Sequence, residues 1–148
     1  MILIAHRGLI DGPDSAFENN PKAIDLAFRK GYDCEVDVRY INGKWFLGHD
    51  DPTYEVDYEF LRQPGLWLHA KNLDALYILG AEKNRLNFFW HQEDDYTLTS
   101  KKHIWAYPGK PYTLNTVIVM PEWNISDLSS LQDVECYGIC TDYPEKLK

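Results

Sequence analysis

The sequence predicts a mixed α/β fold, and three local patterns carry that expectation. Met1-Ile2-Leu3-Ile4-Ala5 is a short apolar run that ends in His6-Arg7-Gly8, as expected of a strand buried on both faces in a parallel sheet. A helical signature follows, and then Cys34 to Tyr40 alternates with period two before Asn42-Gly43, a strong hairpin signal. Strand, helix and strand in that order make the βαβ unit from which α/β folds are built, and such folds place ligands beyond the C-terminal ends of their strands. His6 and Arg7 are expected there.

Leu9 to Pro21 is rich in Gly, Pro, Asp and Asn and reads as the loop into the first helix. Asn20 is its expected N-cap with Pro21 in the first turn, Ala23, Ile24, Ala27 and Phe28 form the apolar stripe, and Gly31 stops it. In the second strand Glu35, Asp37 and Arg39 project to one face and Val36 and Val38 to the other. Two carboxylates on a face that should be buried cost several kcal/mol each unless a cation compensates them, so a Lys, an Arg or a metal is expected nearby. Lys44 to Leu47 returns as the second arm of the hairpin and leads to His49-Asp50.

Asp51 to Gly65 contains an expected short helix over Tyr58 to Arg62 and closes on Pro64-Gly65. Leu66 to Lys71 is the third strand, Asn72 caps a helix running to Lys83, and Asn87 to His91 is the fourth strand. From Gln92 to Lys102 the chain is polar with no helical stripe. His103 to Tyr107 is the fifth strand, and Pro108-Gly109-Lys110-Pro111 begins a connection too short and too proline-rich for a helix. Thr116 to Met120 is the sixth strand, Ser126 to Leu131 a short helix capped by Ser126, and Tyr137 to Thr141 the last strand, with no helix expected after it. About seven strands thus face only three or four helices.

At 148 residues with 45% hydrophobic content, the chain is read as a single domain, 1-148, with a true core. A net charge of −8 and a pI near 5.0 argue against a general nucleic-acid or anionic-membrane surface, so an anionic ligand needs a local basic site. Cys34, Cys136 and Cys140 have no metal-type spacing and read as reduced, buried residues. With no apolar run of membrane-spanning length and no secretory leader visible, a cytoplasmic location is expected. His6, His49, His69 and His91 each fall at or near the C-terminal end of an expected strand, so all four should converge on one rim with Glu35 and Asp37. His103 begins a strand and belongs to the opposite end.

His6-Arg7-Gly8, Glu18-Asn19, the helix from Ala23 to Gly31, Glu35-x-Asp37, Gly48-His49-Asp50 and Thr141-Asp142-Tyr143-Pro144 together resemble the glycerophosphodiester phosphodiesterases. The likeness is dense over the first 50 residues, returns in the last dozen and is thin between. It implies a TIM-type (β/α) barrel, here trimmed to about seven to eight strands with several outer helices missing, since such barrels usually need roughly 250 residues. It also implies a metal-dependent phosphodiester hydrolase acting on a small phosphodiester. By resemblance, His6 and His49 are the acid/base pair, and Glu35 and Asp37 ligate a divalent metal. Arg7 and Lys71 hold phosphate oxygens, and Glu18 and His91 join the substrate-binding group.

One departure bears on the metal. The family usually supplies a third carboxylate from an E-x-K on strand three, whereas this chain has His69-Ala70-Lys71. Two carboxylates and an imidazole suit Mn²⁺ or Zn²⁺ better than Ca²⁺ or Mg²⁺. The alternative expectation is a catalytically reduced phosphate- or phosphodiester-binding protein on the same barrel; a relative acting on phospholipid head groups ranks last. Because the connections around strands four to six lack covering helices, Trp90, Tyr96, Trp105, Tyr107 and Tyr112 are expected to form a homodimer surface away from the rim, the alternative being that these aromatics turn inward and fill the barrel.

Overall fold

The computed structural model describes residues 1–82 and 86–148. Its strands are β1 (Ile2–His6), β2 (Asp33–Ile41), β3 (Lys44–Leu47), β4 (Tyr54–Val56), β5 (Leu66–Ala70), β6 (Phe88–Phe89), β7 (Tyr96–Leu98), β8 (Ile104–Ala106), β9 (Thr116–Val119) and β10 (Gly138–Thr141). The α-helices are α1 (Pro21–Arg29), α2 (Tyr58–Leu61) and α3 (Leu73–Ala81), and three 3₁₀ turns cover Pro121–Trp123, Leu128–Leu131 and Pro144–Leu147. The Lys83 end of the expected third helix lies outside the described residues. No helix among them is long and apolar enough to cross a membrane.

Parallel ladders join β6, β5, β2, β1, β10, β9 and β8 in that order, so the first and last strands of the chain are neighbours. β3 and β4 extend β2 as an antiparallel meander, and β7 lies antiparallel on β8. The sheet curls. Phe89 of β6 and Trp105 of β8, at opposite ends of the parallel series, bring their rings to 4.5 Å. Between those two strands the chain around β7 serves as a bridge: Ser100 N donates to Phe88 O at 2.8 Å, and Thr97 Oγ1 to Trp90 O at 3.0 Å.

Strand alternation sorts the apolar residues into an inner and an outer layer. Ile4, Trp67, Phe89, Trp105, Val117, Val119 and Cys140 pack together on the inside of the curl. Ala5, Cys34, Val36, Val38, Leu66, Leu68 and Ala70 face outward, against Ile24 and Ala27 of α1 and Ala75 and Leu79 of α3. Helix starts follow the expected caps. Asn20 accepts from Lys22 N with Pro21 behind it, and Asn72 accepts from Ala75 N while its amide donates to Tyr40 O, fastening α3 to β2.

Four expectations are corrected. The stretch Asp51 to Gly65 holds β4 as well as its short helix, and the polar stretch Gln92 to Lys102 holds β7. The segment expected as an α-helix capped by Ser126 is a 3₁₀ turn capped by Asp127, whose carboxylate accepts from Ser129 N. Trp105 is not surface: it is 4% exposed inside the curl, because β8 has a fixed inward parity, and it leaves the expected dimer patch. Tyr96 and Tyr112 stay outside, on an apolar groove of about 480 Å³. All three cysteines are buried and free, and burial pushes the Cys34 and Cys140 thiols upward.

Candidate functional site

Register builds the site. His6 is the Cα partner of Glu35 and Asp37 that of His69, so two neighbouring pairs of β1–β2 and β2–β5 place four polar side chains in one small area. All four belong to the inward parity, above the apolar layer of Trp67, Phe89 and Trp105. There they line a cavity of about 200 Å³ with Arg7, His49 and His91. The four histidines expected on one rim are thus brought together, and His103 is apart, stacked on Tyr137 at 3.7 Å.

Glu35 and Asp37 are 2% and 1% exposed, so their compensation decides whether the strand is tolerable. Asp37 Oδ2 accepts from Asn19 Nδ2 at 2.9 Å and faces Arg7 Nε at 3.2 Å; its Oδ1 lies 3.3 Å from His69 Nδ1 and 3.9 Å from Lys71 Nζ. Burial alone would raise this carboxyl, but the His69 and Arg7 charges and the Asn19 amide hold it well below the usual range. Glu35 accepts from Arg7 N at 3.2 Å and lies 3.5 Å from His69 Nδ1. Arg7 takes a left-handed backbone, φ +51°, and its Nη1 donates to Glu18 at 2.8 Å, so Glu18 reaches the site through the guanidinium. Gly8 completes the turn at φ +77°, where a Cβ would stand 2.8 Å from Ile24 Cγ1.

His6 Nδ1 is 2.8 Å from Asp142 Oδ1, and its Nε2 faces Glu35 at 4.0 Å. Burial pulls the imidazole down, yet the Asp142 hydrogen bond and the Glu35 and Asp142 charges outweigh it and its pKa is raised. Asp142 is itself fixed: Glu122 Oε1 accepts from Asp142 N at 2.9 Å and from Thr141 Oγ1 at 2.8 Å. His49 sits across the site on a loop held by Arg39, whose guanidinium donates to the carbonyls of Gly48 and His49. Gly48 has φ +149°, and a Cβ there would lie 1.9 Å from Asp51 O, so this bend needs glycine. His49 Nδ1 pairs with Asp50 at 2.8 Å.

Sequence reasoning gave no role to Asp142, Asn19 or Glu122. The first two stood inside the quoted Thr141-Asp142-Tyr143-Pro144 and Glu18-Asn19 segments, which was the available signal; Glu122 had none.

Glu35, Asp37 and His69 offer ligand atoms that all lie within 4.8 Å of one another. The donor set fits a divalent ion in two respects. Asp37 Oδ1 is buried with no donor closer than His69 Nδ1 at 3.3 Å and Lys71 Nζ at 3.9 Å, which leaves it room for an ion, and His69 Nε2 is held by the carbonyl of His91 at 2.8 Å, the outer contact that fixes a metal-binding histidine with Nδ1 inward. Without an ion the same imidazole is a cation: burial lowers its pKa, but hydrogen bonds to Asp37 and Glu35 raise it to about 9. Because the folded value exceeds the ordinary histidine value of 6.5, this stabilisation is complete below pH of about 6.5 and is lost as pH rises through about 9. In chelator, thermal unfolding should therefore shift downward between those limits, and His69→Gln should flatten the slope, leaving the smaller contribution of the raised His6; an identical slope in the variant would refute the assignment.

No protein-family model matches the chain, and no curated protein or solved structure matches it either.

Proposed function

We propose that this protein is a metal-dependent phosphodiester hydrolase on a trimmed TIM-type barrel, similar in chemistry to the glycerophosphodiester phosphodiesterases. The observation that supports this reading most is the single small cavity in which two buried carboxylates, two carboxylate-paired histidines and an arginine meet. Phosphodiester cleavage makes three demands: charge builds on the non-bridging oxygens, the attacking hydroxyl loses a proton, and the leaving alkoxide gains one.

Arg7 and Lys71 supply fixed positive charge for the phosphate. A divalent ion held by Glu35, Asp37 and His69 would add Lewis-acid stabilisation of the same oxygens, and the nitrogen ligand favours Mn²⁺ or Zn²⁺ over Mg²⁺ or Ca²⁺. His6, whose raised pKa favours the protonated form and whose Nδ1 is held by Asp142, suits the role of acid. It gives its Nε2 proton to the departing alcohol as the P–O bond breaks. His49 takes the proton of the attacking hydroxyl, whether from water or from the substrate. With water, the products are a phosphomonoester and an alcohol.

The expected result is hydrolysis of bis(p-nitrophenyl) phosphate that chelator abolishes and Mn²⁺ or Zn²⁺ restores better than Mg²⁺ or Ca²⁺. A second reading, a phosphodiester-binding protein without turnover, is favoured by His69, which as a cation together with Arg7 already offsets the charge of the two carboxylates. Phosphate binding with no hydrolysis under any of the four ions would establish that reading and end the first.

A further inference from the structure

We propose that the wall of this cavity opposite the carboxylates is a subsite for the departing alcohol, and that it selects an alcohol with an apolar alkyl or aryl face over a polyol. The inference rests on the phosphodiester reading. Trp105, Tyr107, Pro108, Val119, Met120 and Trp123, carried by β8, β9 and the segments after them, line that part of the cavity, and Gln92 is the one uncharged amide that lines the cavity besides. A glycerol-like group would need hydrogen-bonding partners there, and a wall so dominated by carbon leaves its hydroxyls largely unpaired.

The wall is built, not incidental. Met120 adopts the left-handed region at φ +45°, uncommon for an unbranched apolar side chain, and such strain collects where the surroundings impose a functional geometry. It is imposed from both sides: Met120 N donates to Cys140 O at 2.8 Å, and Pro121 starts the turn Pro121–Trp123 directly after it. Glu122, the acidic residue of that turn, points away to Thr141 and Asp142. The turn therefore presents Met120 and Trp123 to the cavity and keeps its carboxylate out of it. Trp123 is 64% exposed, so its indole does little for the core and is available to cover a ligand at the mouth. The volume of about 200 Å³ is below that of sites for drug-sized ligands, which matches a phosphate and a few carbon atoms.

The test is a set of dissociation constants for methyl phenyl phosphate, methyl glyceryl phosphate, methyl choline phosphate and inorganic phosphate, measured by calorimetry on wild type and Trp123→Ala. Wild type should bind the phenyl ester at least about 10-fold more tightly than the glyceryl ester, the usual worth of a well-placed apolar contact. Trp123→Ala should erase that preference and leave inorganic phosphate unchanged. Equal or reversed affinities in wild type, or a preference that survives the substitution, would overturn the subsite. Tightest binding of the choline ester would replace the apolar subsite by a cationic one. Intact ester preference without turnover under any metal would remove the hydrolase reading alone, whereas failure to bind any phosphate compound would remove both.

Discussion

His6→Ala is expected to lower kcat for phosphodiester hydrolysis by roughly 10²–10⁴-fold while the protein stays folded. The size of the effect follows from the position of the imidazole. Its Nδ1 is occupied by Asp142, so its Nε2 is the atom free to exchange a proton with substrate. Folding should survive because His6 ends β1, with its side chain in the cavity and not in either apolar layer. Asp142 remains tied through its backbone to Glu122 after the substitution. Asp142→Asn provides the companion measurement: it keeps a side chain of the same shape but alters the tautomer and charge of His6, so kcat should fall with little change in KM. A loss below about threefold in His6→Ala would exclude the residue from proton transfer.

Asp37→Ala is expected to give the largest loss of stability of any single change at the site. Removing one partner from a buried ionic cluster typically costs about 3–5 kcal/mol, because the charges left behind are uncompensated. Here Arg7 and His69 would lose a partner within 3.3 Å and Lys71 one at 3.9 Å, and the Asn19 amide would lose its acceptor. For a chain of this length the melting temperature should fall by roughly 6–20 °C in chelator. Asp37→Asn keeps an acceptor for Asn19 and should fall less. A drop of under about 2 °C in Asp37→Ala would mean that water already compensates those groups.

Where the fold was legible in the sequence, short-range physics made it so. The inward parity of Glu35 and Asp37 follows from alternation along β2, and Asn20 and Asn72 cap their helices because a side-chain oxygen two or three residues before a free N–H has a fixed reach. Convergence of His6, His49, His69 and His91 needed only their places at strand ends. β4 and β7 escaped because three residues are too few for alternation to register. Trp105 was placed outside because aromatic content says nothing about parity; the ladder to Val117 decides it. Asp142 escaped for a different reason. Its partner lies 136 positions away, and only the parallel pairing of β1 with β10 brings them together.

That pairing also governs how the chain can reach its native state. Ile2 opposes Gly138, so closing the ladder between β1 and β10 encloses nearly the whole polypeptide, and non-local ladders of this kind are slow because the entropy of loop closure must be overcome before contacts repay it. During synthesis β1 emerges early and can pair with β2, but its other edge has no partner until β10 has left the ribosome. A nascent chain stopped at residue 130 would carry Glu35, Asp37 and His69 yet lack Asp142 beside His6. Pulse-labelling hydrogen exchange should accordingly show the β2–β5 amides protected before those of β1 facing β10, so that the His6–Asp142 contact is among the last to form.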